Sequence, residues 1–230
     1  MASTPTTEKV IPYALLGMTA VTGLVDAVSF LSLGRVFTAN MTGNVVLLAF
    51  ATAHVSGLSI ARSLTALLAF LVGAILGGRI MARANPDSQI RFAAQAFLLE
   101  VVFLLAASFC SIGYRIDSLE NSFRPFGLIV LTALAMGTRN AAVRKLAIPD
   151  LTTTVLTLTI TGIGADSSLA NGKNPRLARR VESVAAMFLG AALGAVVIHY
   201  SISAALFLAT AISAMSSAAL FRSVRTPDKK

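Results

Sequence analysis

The chain has little of almost everything that marks a soluble enzyme. Only 13% of its 230 residues are charged, against roughly a quarter in soluble domains. It has no tryptophan, three tyrosines, two histidines and one cysteine. Each scarcity excludes something. A lone Cys110 rules out an internal disulfide and a multi-cysteine metal cluster, and its apolar surroundings lead one to expect a packing residue. His54 and His199 lie far apart, each at the end of an apolar run, so no metal and no cofactor are expected. Without tryptophan the usual aromatic belt at the membrane surface is thin. GxSxG, HExxH, P-loop and GxGxxG patterns are absent. No enzyme is expected, and an intramembrane hydrolase is the weakest of the readings. The opening MASTPTTEKV has no charged, apolar and cleavable succession, so no secretory signal peptide is expected.

What is present is apolar. Hydrophobic residues make up 56% of the chain and the mean hydropathy is +0.79. A soluble core cannot absorb that much, so the expected solvent is a lipid bilayer. The net charge of +9 would suit nucleic acid by magnitude alone. Its basic residues, however, sit in short segments between apolar runs, as membrane loops do, so no nucleic-acid partner is expected.

Eight apolar runs stand out, at about 11–34, 41–55, 60–82, 92–114, 125–143, 151–165, 181–199 and 201–221. A spanning helix needs roughly 20 residues. Six runs meet or approach that length; the second and sixth are shorter and are led in by polar residues. The first ten residues and residues 223–230 read as polar tails. Asp117 and Glu120 share a loop with Arg115 and Arg124 and read as a solvated face.

The chain also repeats itself. GLVDAVSFLSLG at 23–34 matches GTRNAAVRKLAI at 137–148, aligning Asp26 with Asn140. TANMTGNVV at 38–46 follows TTVLTLTIT at 153–161, aligning Thr38 with Thr153 and Thr42 with Thr157. ARSLTALLAFLVGAILG at 61–77 matches ARRVESVAAMFLGAALG at 178–194 without a gap. Gly73 and Gly77, like Gly190 and Gly194, have the spacing that lets helix backbones approach closely. The domain is therefore read as one membrane unit, 11–222, made of repeat one (about 11–114) and repeat two (about 125–222).

Basic residues set the orientation, because cytoplasmic loops collect Lys and Arg. Arg62 alone precedes the third run, while Arg79, Arg83 and Arg91 follow it. In the second half Lys173, Arg176, Arg179 and Arg180 precede the matching run and no Lys or Arg follows it near His199. The bias flips, which predicts an inverted repeat. If the short runs do not cross and the N-terminus is inside, only Arg35, Arg62, Arg115 and Arg124 fall outside, with Arg139 within the membrane. Letting all eight cross gives a poorer split. The expected fold is an all-α integral membrane protein: a helical bundle of two inverted-topology repeats, with six spanning helices and two short or re-entrant ones, both termini cytoplasmic.

GLVDAVSFLSLGRVFTANMTGNVVLLA resembles a signature of the YoaK-like family, bacterial membrane proteins with domain of unknown function 1275. GTRNAAVRKLAIPDLTTTVLTLTITGIG resembles that family's second signature. There a Met-Gln-Asn or similar triplet often replaces Thr138-Arg139-Asn140, and a Thr-Gly pair replaces Thr157-Leu158. The resemblance runs from about 12 to 222. It implies a bacterial inner-membrane protein and no particular activity.

Function is left to the residues. Asp26, Glu100 and Arg139 lie inside apolar runs, where a charge costs roughly 2.5–3.5 kcal/mol on insertion scales. Arg139 has two candidate partners, Asp26 and Glu100, so one acid is left over. The cluster, with Asn140, reads either as a coupling or solute-binding centre or as polar glue between helices. A second constellation comprises Asn40, Thr42, Gly43 and Asn44 in one half, and Asp150, Thr152, Thr153, Thr154 and Thr157 in the other. It reads either as helix capping or as a midplane site for a small polar solute or anion, since helix N-termini offer free N–H groups and partial positive charge. The leading expectation is a small transporter or channel-like permease. The alternative is a non-transporting scaffold, assembly factor or sensor. The bilayer is the first partner, and a homodimer is compatible with the size.

Overall fold

The computed structural model describes residues 5–86, 88–114, 123–148, 153 and 156–225. Asp150, Thr152 and Thr154, and the loop with Arg115, Asp117 and Glu120, lie outside the described residues. Eight α-helices follow in order: α1 Pro5–Ser32, α2 Met41–Thr52, α3 Ile60–Met81, α4 Gln89–Cys110, α5 Arg124–Leu146, α6 Thr157–Ala165, α7 Leu177–Ile198 and α8 Ile202–Arg225. No strand occurs among the described residues. Six of the helices are long and apolar enough to cross a membrane. The protein is thus a helical, multi-pass membrane protein. The first helix reaches back to Pro5, through most of the expected polar tail; proline suits a first helical position, where its missing N–H costs nothing.

The two short helices cannot span. At about 1.5 Å per residue, α2 is about 18 Å long and α6 about 14 Å, against a hydrocarbon core of about 30 Å. The backbone after α1 shows how α2 comes to start below the end of its neighbour. Gly34 (φ +92°) and Arg35 (φ +55°) are both left-handed, and two such residues in succession reverse the chain. Residues 36–40 then run back down along α1. Phe37 stacks on Phe30 of α1 with ring centroids 4.9 Å apart. The Phe37 N–H donates to Asn44 Oδ1 at 2.9 Å, and Asn44 Nδ2 donates to the Phe37 carbonyl at 2.5 Å. Backbone that the helix leaves unpaired is satisfied by protein rather than by lipid, as membrane depth requires.

α1 and α5 form the centre. α1 packs on α7 and α8, α5 packs on α3 and α4, and α4 crosses α8. The central contacts are made by glycine. A Cβ on Gly73 would overlap the Leu134 carbonyl, one on Gly77 the Thr138 carbonyl and one on Gly137 the Phe70 carbonyl. In the other pair, Gly190 meets Ala20, Gly194 meets Leu24 and Gly23 meets Met187. The sequence alignment of the halves pairs Gly73 with Gly190, Leu134 with Ala20, Gly77 with Gly194, Thr138 with Leu24 and Phe70 with Met187. Equivalent residues therefore make equivalent contacts. Each half lays its third helix against the other half's first.

Two ties fix the helix ends. The Tyr114 hydroxyl, just past α4, donates to the Ser32 carbonyl at the end of α1 (3.0 Å). Burial holds that phenol above its usual pKa, with the Arg62 charge opposing, so it stays a neutral donor. Arg124, which opens α5, reaches the Ile112 carbonyl after α4. The start of α5 thus lies at the same end of the bundle as the finish of α1.

The apolar core has two parts. One gathers Val21, Leu24, Val28, Leu104, Leu128 and Leu206. The other gathers Leu15, Met18, Met81, Phe97, Ala142 and Leu220. The seam between them falls where α1 passes from Met18 to Val21, and the buried charges sit there.

Candidate solute site and buried charge cluster

Arg139 of α5 is the largest fully buried side chain among the described residues. A guanidinium in such a place needs every partner it can find. Nη1 donates to Glu100 Oε1 of α4 at 3.0 Å and to the Met18 carbonyl of α1 at 3.0 Å. Nη2 donates to the Thr22 hydroxyl of α1 and faces Met136 Sδ. Of the two acids open to Arg139 in the sequence, it is Glu100 that pairs, with both side chains at zero exposure. Ser213 of α8 stands beside the same carboxylate. Glu100 Oε2 and Ser213 Oγ make no hydrogen bond of full geometry.

Asp26 is the surplus acid, and it has a different task. It is partly buried, within electrostatic reach of Arg139. Its Oδ1 accepts from the N–H groups of Thr38 (3.1 Å) and Ala39 (2.8 Å). It thereby holds the lead-in to α2. One helical turn earlier on α1, the Thr22 hydroxyl donates to the carbonyl of Thr153, in the lead-in to α6, at 2.8 Å. A single turn of α1 therefore holds the approaches to both short helices, and that turn lies near the middle of the apolar span Val10–Ser32. Asn140, the repeat equivalent of Asp26, is partly buried on α5.

The starts of α2 and α6 face a shared cavity of about 500 Å³. Asn40, Thr42, Gly43, Val46 and Leu47 line it from one half, Leu156, Thr157 and Ile160 from the other, and Phe37 and Met187 complete the wall. Asn40 Oδ1 caps α2 by accepting from Gly43 N–H at 3.3 Å. The α6 cap position is Leu156, which offers no side-chain acceptor.

Of the residues singled out in the sequence, Asn40, Thr42, Gly43 and Thr157 thus share one cavity wall. Asn44 and Thr153 do not line it. Asn44 is fully buried and pins Phe37. Thr153 is fully buried with its carbonyl on Thr22. Asp26, Glu100 and Arg139 form a separate inner cluster behind the lead-ins. Thr22 escapes a reading of the sequence; its place one turn before Asp26 on the same helical face is the available signal. Met187 escapes it because only tertiary packing brings α7 to the cavity. Arg180 of α7 reads as a loop cation in the sequence. It is nearly buried, paired with Asp166 at 2.8 Å, and donates to the Gly162 carbonyl near the end of α6.

Six spanning helices, two half-length helices and an intramembrane charge cluster define a polytopic membrane protein built around a mid-depth polar centre. The family described as "Protein of unknown function (DUF1275)" matches residues 14–219, and the chain belongs to that family. It is similar to the UPF0700 transmembrane protein YoaK of Bacillus subtilis (strain 168), at 38% identity over 156 residues. The alignment covers 67% of this chain and 65% of that relative's length. No solved structure matches the chain.

Proposed function

We propose that this protein is a small secondary permease of the bacterial inner membrane for a small polar solute or anion, with the charge cluster serving proton coupling. The observation that carries it is the convergence of Asn40, Thr42 and Thr157 on one cavity from equivalent places in the two halves. Inversion of the halves is supported by the end of α1 and the start of α5 lying together, through Tyr114 and Arg124. In an inverted pair, half-length helices bring their N-termini to the middle of the bilayer, the usual place for a transported solute. Both termini then face the cytoplasm, with most Lys and Arg.

The coupling role follows from the connections. Asp26 holds the α2 approach through two N–H groups, so a change of its charge acts directly on a wall of the cavity. Arg139, paired with Glu100, provides the fixed counter-charge behind it. The reading includes no catalytic step.

The test is flux into proteoliposomes across a broad solute panel, for wild type, Asp26→Asn and Asn40→Ala. Uptake that collapses in Asn40→Ala and loses its pH-gradient dependence in Asp26→Asn supports the reading. Wild-type protein that moves nothing overturns it. One observation favours a second reading, a scaffold or sensor: Thr153 and Asn44 are fully buried in the fold rather than on the cavity wall.

A further inference from the structure

The cavity wall is mostly hydrocarbon. Phe37, Val46, Leu47, Leu156, Ile160 and Met187 supply it, and among the described residues no charged side chain lines the site. Val46 and Ile160 are 47% and 54% exposed, and Asn40, Thr42 and Thr157 are exposed beside them. α2 packs chiefly on α3 and α6 chiefly on α7, so both short helices stand at the periphery of the bundle. At the depth of Thr22 and Asp26 that periphery adjoins acyl chains. The mouth of the cavity therefore opens sideways into the bilayer.

The polar groups at its end are unbalanced. Asn40 Oδ1 is occupied by Gly43 N–H. That leaves Asn40 Nδ2, the hydroxyls of Thr42 and Thr157, and the first-turn N–H groups of an α6 that lacks a side-chain cap. Donors predominate, and two helix N-termini add partial positive charge. Pure hydrocarbon would leave these groups unsatisfied at a cost of several kcal/mol each. A freely hydrated ion would find mostly apolar walls and no countercharge among the described lining residues.

We infer that the site takes a membrane-partitioned amphiphile: one hydrogen-bond-accepting head, carboxylate or hydroxyl, on Asn40, Thr42 and Thr157, with an apolar tail along Val46, Leu47, Ile160 and Met187. About 500 Å³ is within the range of small-molecule sites. The inference rests on the permease reading for its purpose and puts an amphiphile in the place of the small polar solute; its test reads binding and needs no flux.

The probe is a long-chain fatty acid carrying a photoactivatable diazirine near the end of its tail, with the matching alcohol as a second arm. Protein in lipid nanodiscs is irradiated and the labelled residues are mapped. Labelling is expected to concentrate on Val46, Leu47, Ile160 and Met187. Thr42→Trp, which fills the cavity, is expected to remove most of it, while Leu68→Trp, at an exposed position of α3, leaves it unchanged. Labelling by the acid alone identifies a carboxylate head; labelling by both identifies any accepting head. Even labelling over lipid-facing positions such as Leu68 and Phe188 overturns the inference. So does efficient disulfide dimerisation of Thr42→Cys in a Cys110→Ser background, which places a second copy there. Groove labelling without flux keeps the inference and sinks the permease; flux of hydrophilic solutes without labelling does the reverse.

Discussion

Arg139 and Glu100 face one another at 3.0 Å with neither side chain exposed. Removing one member strands the other charge in an apolar interior. Arg139→Met is expected to destabilise the protein by about 3–5 kcal/mol. Adding Glu100→Leu should restore most of that loss, because two apolar residues of similar volume substitute well for a buried pair. Thermal or denaturant unfolding of the two single variants and the double variant in detergent gives the coupling. A double variant as unstable as Arg139→Met would refute the pairing as the source of the loss.

Asp26 holds two N–H groups at the approach to α2. Asparagine retains an acceptor oxygen there, so Asp26→Asn is expected to cost about 1 kcal/mol. Asp26→Leu leaves both donors unsatisfied and should cost about 1–3 kcal/mol. Hydrogen exchange at Thr38 and Ala39 should rise sharply in the leucine variant and only slightly in the asparagine variant.

Glycines within one helix should differ in kind. Gly73→Ala drives a Cβ into the Leu134 backbone, whereas a Cβ added at Gly78 would meet nothing within 4 Å. The first substitution is expected to lower stability by about 1–3 kcal/mol. The second should raise it by up to about 1 kcal/mol through helix propensity alone. Side-by-side melting curves decide the matter, and equal behaviour of the two variants would contradict the close packing of α3 on α5.

Asn44→Leu keeps the volume and removes both hydrogen bonds to Phe37. The expected loss is about 1–3 kcal/mol, with increased hydrogen exchange confined to residues 36–44 while the six spanning helices stay protected. Loss of protection throughout the bundle would mean that Asn44 supports more than the return segment.

Much of the architecture is legible in the sequence because membranes simplify the code: run length gives spans, and repeated small residues give contacts. Gly73, Gly77, Gly190 and Gly194 stand at the helix crossings that their spacing predicts. The polar residues are legible as a group and less so one by one. Which way Asn44 turns depends on the chain reversal at Gly34 and Arg35, and a left-handed arginine leaves no mark in composition. The choice of Glu100 over Asp26 depends on α4 lying against α5, and periodicity does not report which helices are neighbours.

The interlocked glycine contacts also bear on how the chain is assembled. α1 finds its close-packed partner in α7, which leaves the ribosome well over a hundred residues later. Such non-local pairing delays completion of the native bundle until α7 has been made. Until then the nascent first half has an unclaimed seam of small residues, open to any neighbouring helix in the membrane, including those of other unfinished chains.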